Sequence, residues 1–195
     1  DILNSADARI GVSRLAARMF SKQQDTHAIH PGLDTAVYRP VDASRFRRQF
    51  SLAGQYVLVP GRVNEIKGQE HALLAMLETR VDFKLVFAGN VTLDTSRKQD
   101  LGIYGEKLQA LIEKHRLQNR VIFTGLLSRD EMIEAYSGAS ATIVPSVWPE
   151  PFGYVTAESM ACGTPVIVTA NSGSAELVDD SVGRVVPRRD PEAIA

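Results

Sequence analysis

The stretch PEPFGYVTAESMACGTPVIVT, residues 149–169, decides how this chain is read. It follows a run of strand-forming residues, Ala141-Thr142-Ile143-Val144, closed by Pro145-Ser146, and it ends in a second, Val166-Ile167-Val168. Pro149, Pro151 and Gly153 keep its opening residues in a loop, since proline and glycine both disfavour helix. A helix is expected to begin near Gly153-Tyr154. Strand, loop, helix and strand make a βαβ unit, with Glu150 in the loop and Glu158 about a turn and a half into the helix. In open α/β sheets ligands bind beyond the C-terminal ends of the strands, which is where this loop lies.

Working outward, the same alternation recurs. Tyr56-Val57-Leu58-Val59 reads as a buried strand ending at Pro60-Gly61, residues 83–87 as the next, and Val121-Ile122-Phe123 as a third ending at Thr124-Gly125. Short Gly183-Arg184-Val185-Val186 closes the series. Between them, Leu73, Leu74 and Leu77 mark an amphipathic helix over 71–77, and Leu108, Leu111 and Ile112 mark another after a polar loop over 92–102. Ser128 and Glu131 form a capping-box pair opening a helix through Tyr136. Apolar, β-branched strands separated by helices of this length predict a doubly wound α/β fold, Rossmann-like, with a parallel sheet covered on both faces. A short basic helix is expected over 44–50. Ahead of it, residues 8–12 read as a strand and Ser13 as the N-cap of a helix whose apolar face carries Leu15, Met19 and Phe20. Lys22-Gln23-Gln24-Asp25 breaks that pattern.

Composition bounds the function. The 195 residues carry a net charge of -1, with 44% hydrophobic and 23% charged residues, as in an ordinary globular domain. No basic excess supplies the phosphate-neutralising term that nucleic-acid binding needs. The single cysteine, Cys162, excludes an internal disulfide and reads as a small packed side chain. The four histidines, His27, His30, His71 and His115, lack metal-ligand spacing and are read as structural. No apolar run approaches the roughly 20 residues of a membrane span. With no secretory signal pattern, a cytoplasmic location is expected.

Two motifs can carry chemistry. Directly after the strand at 56–59 comes Gly61-Arg62-Val63-Asn64-Glu65-Ile66-Lys67-Gly68, which is neither a P-loop nor a dinucleotide fingerprint. Arg62 suits bidentate phosphate recognition and Lys67 point-charge neutralisation. Read alone, the loop is equally two solvated cations. The second motif is the Glu150/Glu158 pair. Residues eight apart on one helix stand about 12 Å apart, and Glu150 lies in the loop, so the two carboxylates would meet different parts of one ligand. The helix N-terminus between them favours phosphate, and Glu158 could accept from ribose hydroxyls. Taken singly, Glu158 is equally a capping or surface carboxylate. Gly61, Gly89, Gly125, Gly153 and Gly173 cluster after the strands and predict a cleft lined by main chain. No Asp-x-Asp metal motif is present, so no metal or other cofactor is expected.

These residues resemble a known family. Gly61-Arg62 with Lys67-Gly68, Phe87-Ala88-Gly89, Phe123-Thr124-Gly125, Val144-Pro145-Ser146, Glu150-Pro151-Phe152-Gly153, Glu158, Gly163-Thr164-Pro165-Val166 and Gly173-Ser174-Ala175-Glu176 stand in the order of the donor-binding, C-terminal half of GT-B fold, family-four (group 1) retaining glycosyltransferases. The resemblance implies hexosyl transfer from a nucleoside-diphosphate sugar with retention and without a metal. Arg62 and Lys67 would hold and stabilise the diphosphate, and Glu150 would contact the hexose; these are the catalytic candidates. Gly61, Phe152, Gly153 and Tyr154 would meet sugar or phosphate, Glu158 the ribose, and Asn90, Leu126 and Leu127 would frame the base. It also implies that residues 1–34 are a strand-helix remnant of an acceptor-binding domain with its linker. Residues 35–195 would then be a donor domain truncated before its returning C-terminal helices. Such a half is expected to transfer weakly or not at all. Its acceptor would belong to the missing domain, and peripheral membrane association stays open for a longer protein.

The chain departs from the family pattern at the linker, His30-Pro31-Gly32-Leu33-Asp34, and after Gly89, where Asn90-Val91 replaces an acidic-glycine turn. A sugar-nucleotide epimerase of related fold and a non-catalytic α/β interaction module remain the alternatives.

Overall fold

Two short strands near the N-terminus, β1 (Arg9–Gly11) and β2 (Thr26–Ala28), pair in parallel on either side of helix α1 (Arg14–Arg18). The coordinates are a computed structural model that describes residues 7–19, 26–90 and 102–195. Phe20, residues 22–25 and all but the last residue of the loop expected over 92–102 lie outside the described residues. Ser13 caps α1 as expected, its hydroxyl accepting from Ala16 N–H at 2.9 Å. The expected apolar face is corrected: α1 buries Ala16, and Met19 is 70% exposed. Strand β2 was not legible, because its residues, Thr-His-Ala, carry no apolar alternation.

The main sheet is six-stranded and wholly parallel. Its strands are β3 (Tyr56–Pro60), β4 (Lys84–Ala88), β5 (Val121–Gly125), β6 (Ala141–Val144), β7 (Val166–Thr169) and β8 (Gly183–Val186). They lie in the order β5-β4-β3-β6-β7-β8, so the winding reverses between β3 and β6. Such a switch point opens a crevice at the strands' C-terminal ends. Registered pairing across it is confined to Val57↔Ala141 and Leu58↔Thr142, whereas β3 and β4 pair along five residues.

Alternating side chains feed both faces. Val59, Leu85 and Phe87 pack with Leu73 and Met76 of helix α3 (Gln69–Glu78) and Leu108 of α4 (Gly102–Lys114). Tyr56, Leu58 and Val86 pack on the other face with Phe46 of α2 (Ser44–Gln49) and Ile133 and Tyr136 of α5 (Arg129–Gly138). Helix α6 (Tyr154–Ala161) covers β6 and β7, with Val155 and Met160 against Val144, Val166 and Val168. A last turn, α7 (Pro191–Ile194), returns Ile194 to the first of these faces.

The helix over 71–77 needs a correction. It starts at Gln69, and its buried face runs through Gln69, Ala72, Leu73, Ala75 and Met76, leaving Leu77 38% exposed. Small residues there let the helix lie close to the sheet, so the leucine spacing placed Leu73 correctly and Leu77 off the buried stripe. The capping box is present, with Ser128 N–H donating to Glu131 Oε2 at 2.8 Å. Cys162 is buried at the end of α6, where burial pushes its thiol up to about 11, as an inert packed side chain requires. Among the described residues no helix is long and apolar enough to cross a membrane.

Candidate functional site

The crevice at the switch point is a cleft of about 520 Å³. One wall comes from the ends of β3 and β4, with Gly61, Arg62, Gly89 and Asn90. The other comes from Leu126, Leu127, Met132 and Tyr136 around α5, and from Val155 and Glu158 of α6. Six residues singled out in the sequence therefore meet in one cavity: Gly61, Arg62, Asn90, Leu126, Leu127 and Glu158. Arg62 is exposed and has no ion-pair partner among the described residues. Leu126 is 82% exposed at the rim.

Glu158 has a partner that the sequence did not reveal. The phenol of Tyr136, completely buried, donates to Glu158 Oε2 at 2.8 Å. Burial first, and then the Glu158 carboxylate, hold that phenol well above its ordinary value, so it stays a donor. Burial and Glu158 raise the Tyr38 phenol too. Glu158 is thus oriented from inside the protein while it lines the cleft. Tyr136 lies 22 residues from Glu158, and its helix pattern marks it only as core.

The remaining candidates form a second cluster beside the cleft. Lys67 Nζ and Glu150 Oε1 are 2.5 Å apart, with the side chains 27% and 19% exposed. The Ser146 hydroxyl donates to Glu150 Oε2 at 2.8 Å. Lys67 is placed by Asn64, which caps the short 3-10 turn Glu65–Lys67, and Glu150 by a bond from its N–H to Asn171 O at 3.1 Å. Gly153 sits at φ +87°, and a Cβ there would come 3.4 Å from the Glu150 carboxyl carbon. Glycine thus meets a left-handed backbone requirement. The first two N–H groups of α6, those of Tyr154 and Val155, follow at once and have no partner within the helix. Phe152 is buried, its ring against His30 and Tyr154, while Tyr154 is 47% exposed. Of the five strand-end glycines, Gly61 and Gly89 line the cleft and Gly125, Gly153 and Gly173 do not. Among the described residues no group of three or more His, Cys, Asp or Glu side chains is placed to hold a metal ion.

A family model for the glycosyl transferases group 1 matches residues 41–195. The chain belongs to the group 1 glycosyltransferases. It is 33% identical over 210 residues to a D-inositol 3-phosphate glycosyltransferase of Acidothermus cellulolyticus, covering 100% of this chain and 45% of that protein. The Anabaena protein HepE, solved in complex with UDP, superposes with a TM-score of 0.85 at 25% identity over 97% of this chain and 52% of that one. HepE has also been solved with UDP-glucose. Sucrose-phosphate synthase from Thermosynechococcus elongatus gives a TM-score of 0.83 at 31% identity, over 99% and 48%. The chain spans about half the length of these relatives. The expected family and the expected doubly wound GT-B sheet both hold.

Proposed function

We propose that this chain is the donor-binding half of a retaining hexosyltransferase whose donor is a nucleoside-diphosphate sugar. The observation that carries the reading is the opposed pair of grips across the switch-point cleft. The cation Arg62 stands on one wall, and the carboxylate Glu158, oriented by Tyr136, stands on the other. A nucleoside diphosphate has the matching polarity, with ribose hydroxyls to donate to Glu158 and phosphate oxygens to accept from Arg62. The base would lie against Leu126 and Leu127 near Asn90. Past the diphosphate, the sugar would reach Glu150, the backbone of Phe152 and Gly153, and the α6 N-terminus by Tyr154. There Lys67 would exchange its contact with Glu150 for one with the phosphate. Arg62, Lys67 and the helix dipole would stabilise the leaving diphosphate without a metal ion. The binding of UDP and UDP-glucose by HepE supports this class of donor. The acceptor would be held by the N-terminal domain of which residues 1–34 would be a strand-helix remnant with its linker.

Titration calorimetry with UDP, GDP, ADP and their glucose or mannose conjugates tests the reading. Micromolar to millimolar binding of one nucleotide series, weakened about tenfold or more by Arg62→Ala, is the expected result. Absence of binding to every nucleotide would reject it.

A further inference from the structure

The loop that carries Glu150 is held by three consecutive carbonyls, each with its own donor. Gly173 N–H donates to Glu150 O at 2.8 Å, and Ser174 N–H donates to Phe152 O at 2.7 Å. Both donors belong to one 3-10 turn, Gly173–Leu177. The middle carbonyl, Pro151 O, is served from elsewhere, by the Ser13 hydroxyl at 2.5 Å, 138 residues away in the N-terminal segment. Ser13 is fully buried, and the same oxygen accepts from Ala16 N–H as the N-cap of α1. The hydroxyl thus both donates and accepts, which fixes its rotamer.

The helix that presents Ser13 is itself tied to the same turn. Glu176 accepts from the N–H groups of Arg14 and Leu15 at 3.0 Å each and pairs with His30 Nε2 at 3.0 Å. The His30 ring in turn packs on Phe152, with centroids 5.9 Å apart. Gly173 makes the arrangement possible: a Cβ there would collide with both the Pro151 carbonyl and the Ser13 hydroxyl. Loop, turn and N-terminal segment thus form a closed ring of contacts around the peptide next to Glu150.

We infer that Ser13 is a positioning residue for the Glu150 loop, with Glu176 holding the helix that presents it. The N-terminal segment thereby fixes where Glu150 points. Its consequence for ligands rests on the proposed donor reading, in which Glu150 faces the sugar and the Arg62/Glu158 cleft faces the nucleotide. Losing the Ser13 hydroxyl should then loosen the grip on the sugar and leave the grip on the nucleotide intact.

Two measurements on the full chain test this. In hydrogen exchange, Ser13→Ala should speed exchange of amides across 150–154 about tenfold while β4 stays protected, since a lost local bond opens a local unit. Ser13→Thr, which keeps the hydroxyl, should restore protection. Should Ser13→Ala fail to fold, Glu176→Gln, which keeps the shape but weakens the anchor of α1, should show the same local pattern at smaller amplitude. In calorimetry, Ser13→Ala should leave UDP affinity within about twofold and weaken UDP-glucose about fivefold, the worth of one hydrogen bond near 1 kcal/mol. Unchanged exchange over 150–154, or acceleration spread evenly through β4 and α5 with equal loss of UDP and UDP-glucose, would overturn the inference. If the wild-type chain binds neither probe, the donor reading fails, and the exchange result alone decides the role of Ser13.

Discussion

The contact between Lys67 and Glu150 makes a prediction with opposite signs for its two partners. The pair is 2.5 Å apart and less than a third exposed on either side. A charged hydrogen bond of this kind contributes about 1.5–3 kcal/mol, and solvent screening puts it near the lower end. A double-mutant cycle with Lys67→Met and Glu150→Gln, read by urea unfolding, should give a coupling of about 1.5 kcal/mol that shrinks in high salt. Binding is more telling. On the proposed reading Lys67 must leave Glu150 to reach a diphosphate, so the carboxylate competes with the ligand. Lys67→Met should weaken UDP about tenfold. Glu150→Gln, which frees the ammonium and removes a nearby negative charge, should strengthen UDP by about three- to tenfold. Calorimetry on the three variants checks this. Equal weakening by both single substitutions would refute the competition and make Glu150 part of the nucleotide grip.

Three further outcomes are expected. Ser128→Ala removes the capping box of α5, at a cost of about 1 kcal/mol and about 2–4 °C in thermal midpoint, with UDP binding unchanged. Tyr136→Phe strips Glu158 of a buried donor, costing about 1–2 kcal/mol in denaturant unfolding and weakening UDP several-fold by calorimetry. For Glu176, burial raises the carboxyl, but bonds from His30, Arg14 and Leu15 outweigh it and hold the folded value below the ordinary one. A depressed folded value adds stability above the unfolded value that is lost as pH falls through the folded one. The stability difference between wild type and Glu176→Gln should therefore be largest near neutrality and vanish in acid, as urea midpoints across pH 3–7 would show.

Most of the sheet was legible because β3 to β6 are apolar runs that end at Pro-Gly, Gly or Pro-Ser, signals that depend on near neighbours alone. Strand β8 was expected from four residues, Gly-Arg-Val-Val, that are not a continuous apolar run. The N-terminal strand β2 could not be read, since its three residues show no pattern and its strand character comes from the register with β1. The stripe on α3 was read only in part: Leu73 faces the sheet as expected, but its companions there are Gln69, Ala72, Ala75 and Met76 rather than Leu77. At the site, Arg62 and the leucines could be placed from strand-end positions and Glu158 from its place in the helix after β6. Their organisers could not: Tyr136, Ser146, Ser13 and Glu176 act across 22, 4, 138 and up to 162 residues of sequence. Only the four-residue reach of Ser146 falls within a local window, and there it reads as a turn residue.

The short pairing between β3 and β6 has a mechanical consequence. Strand hydrogen bonding across the middle of the sheet stops at Leu58↔Thr142, so β3 to β5 and β6 to β8 are two leaves joined along a partial hinge line. Arg62 belongs to one leaf and Glu158 to the other. A ligand gripped by both is a staple across that line, and forcing the leaves apart would have to break the staple first. Pulled across the seam, the protein should therefore yield at a force set by ligand occupancy, while pulling along either leaf alone should be indifferent to it.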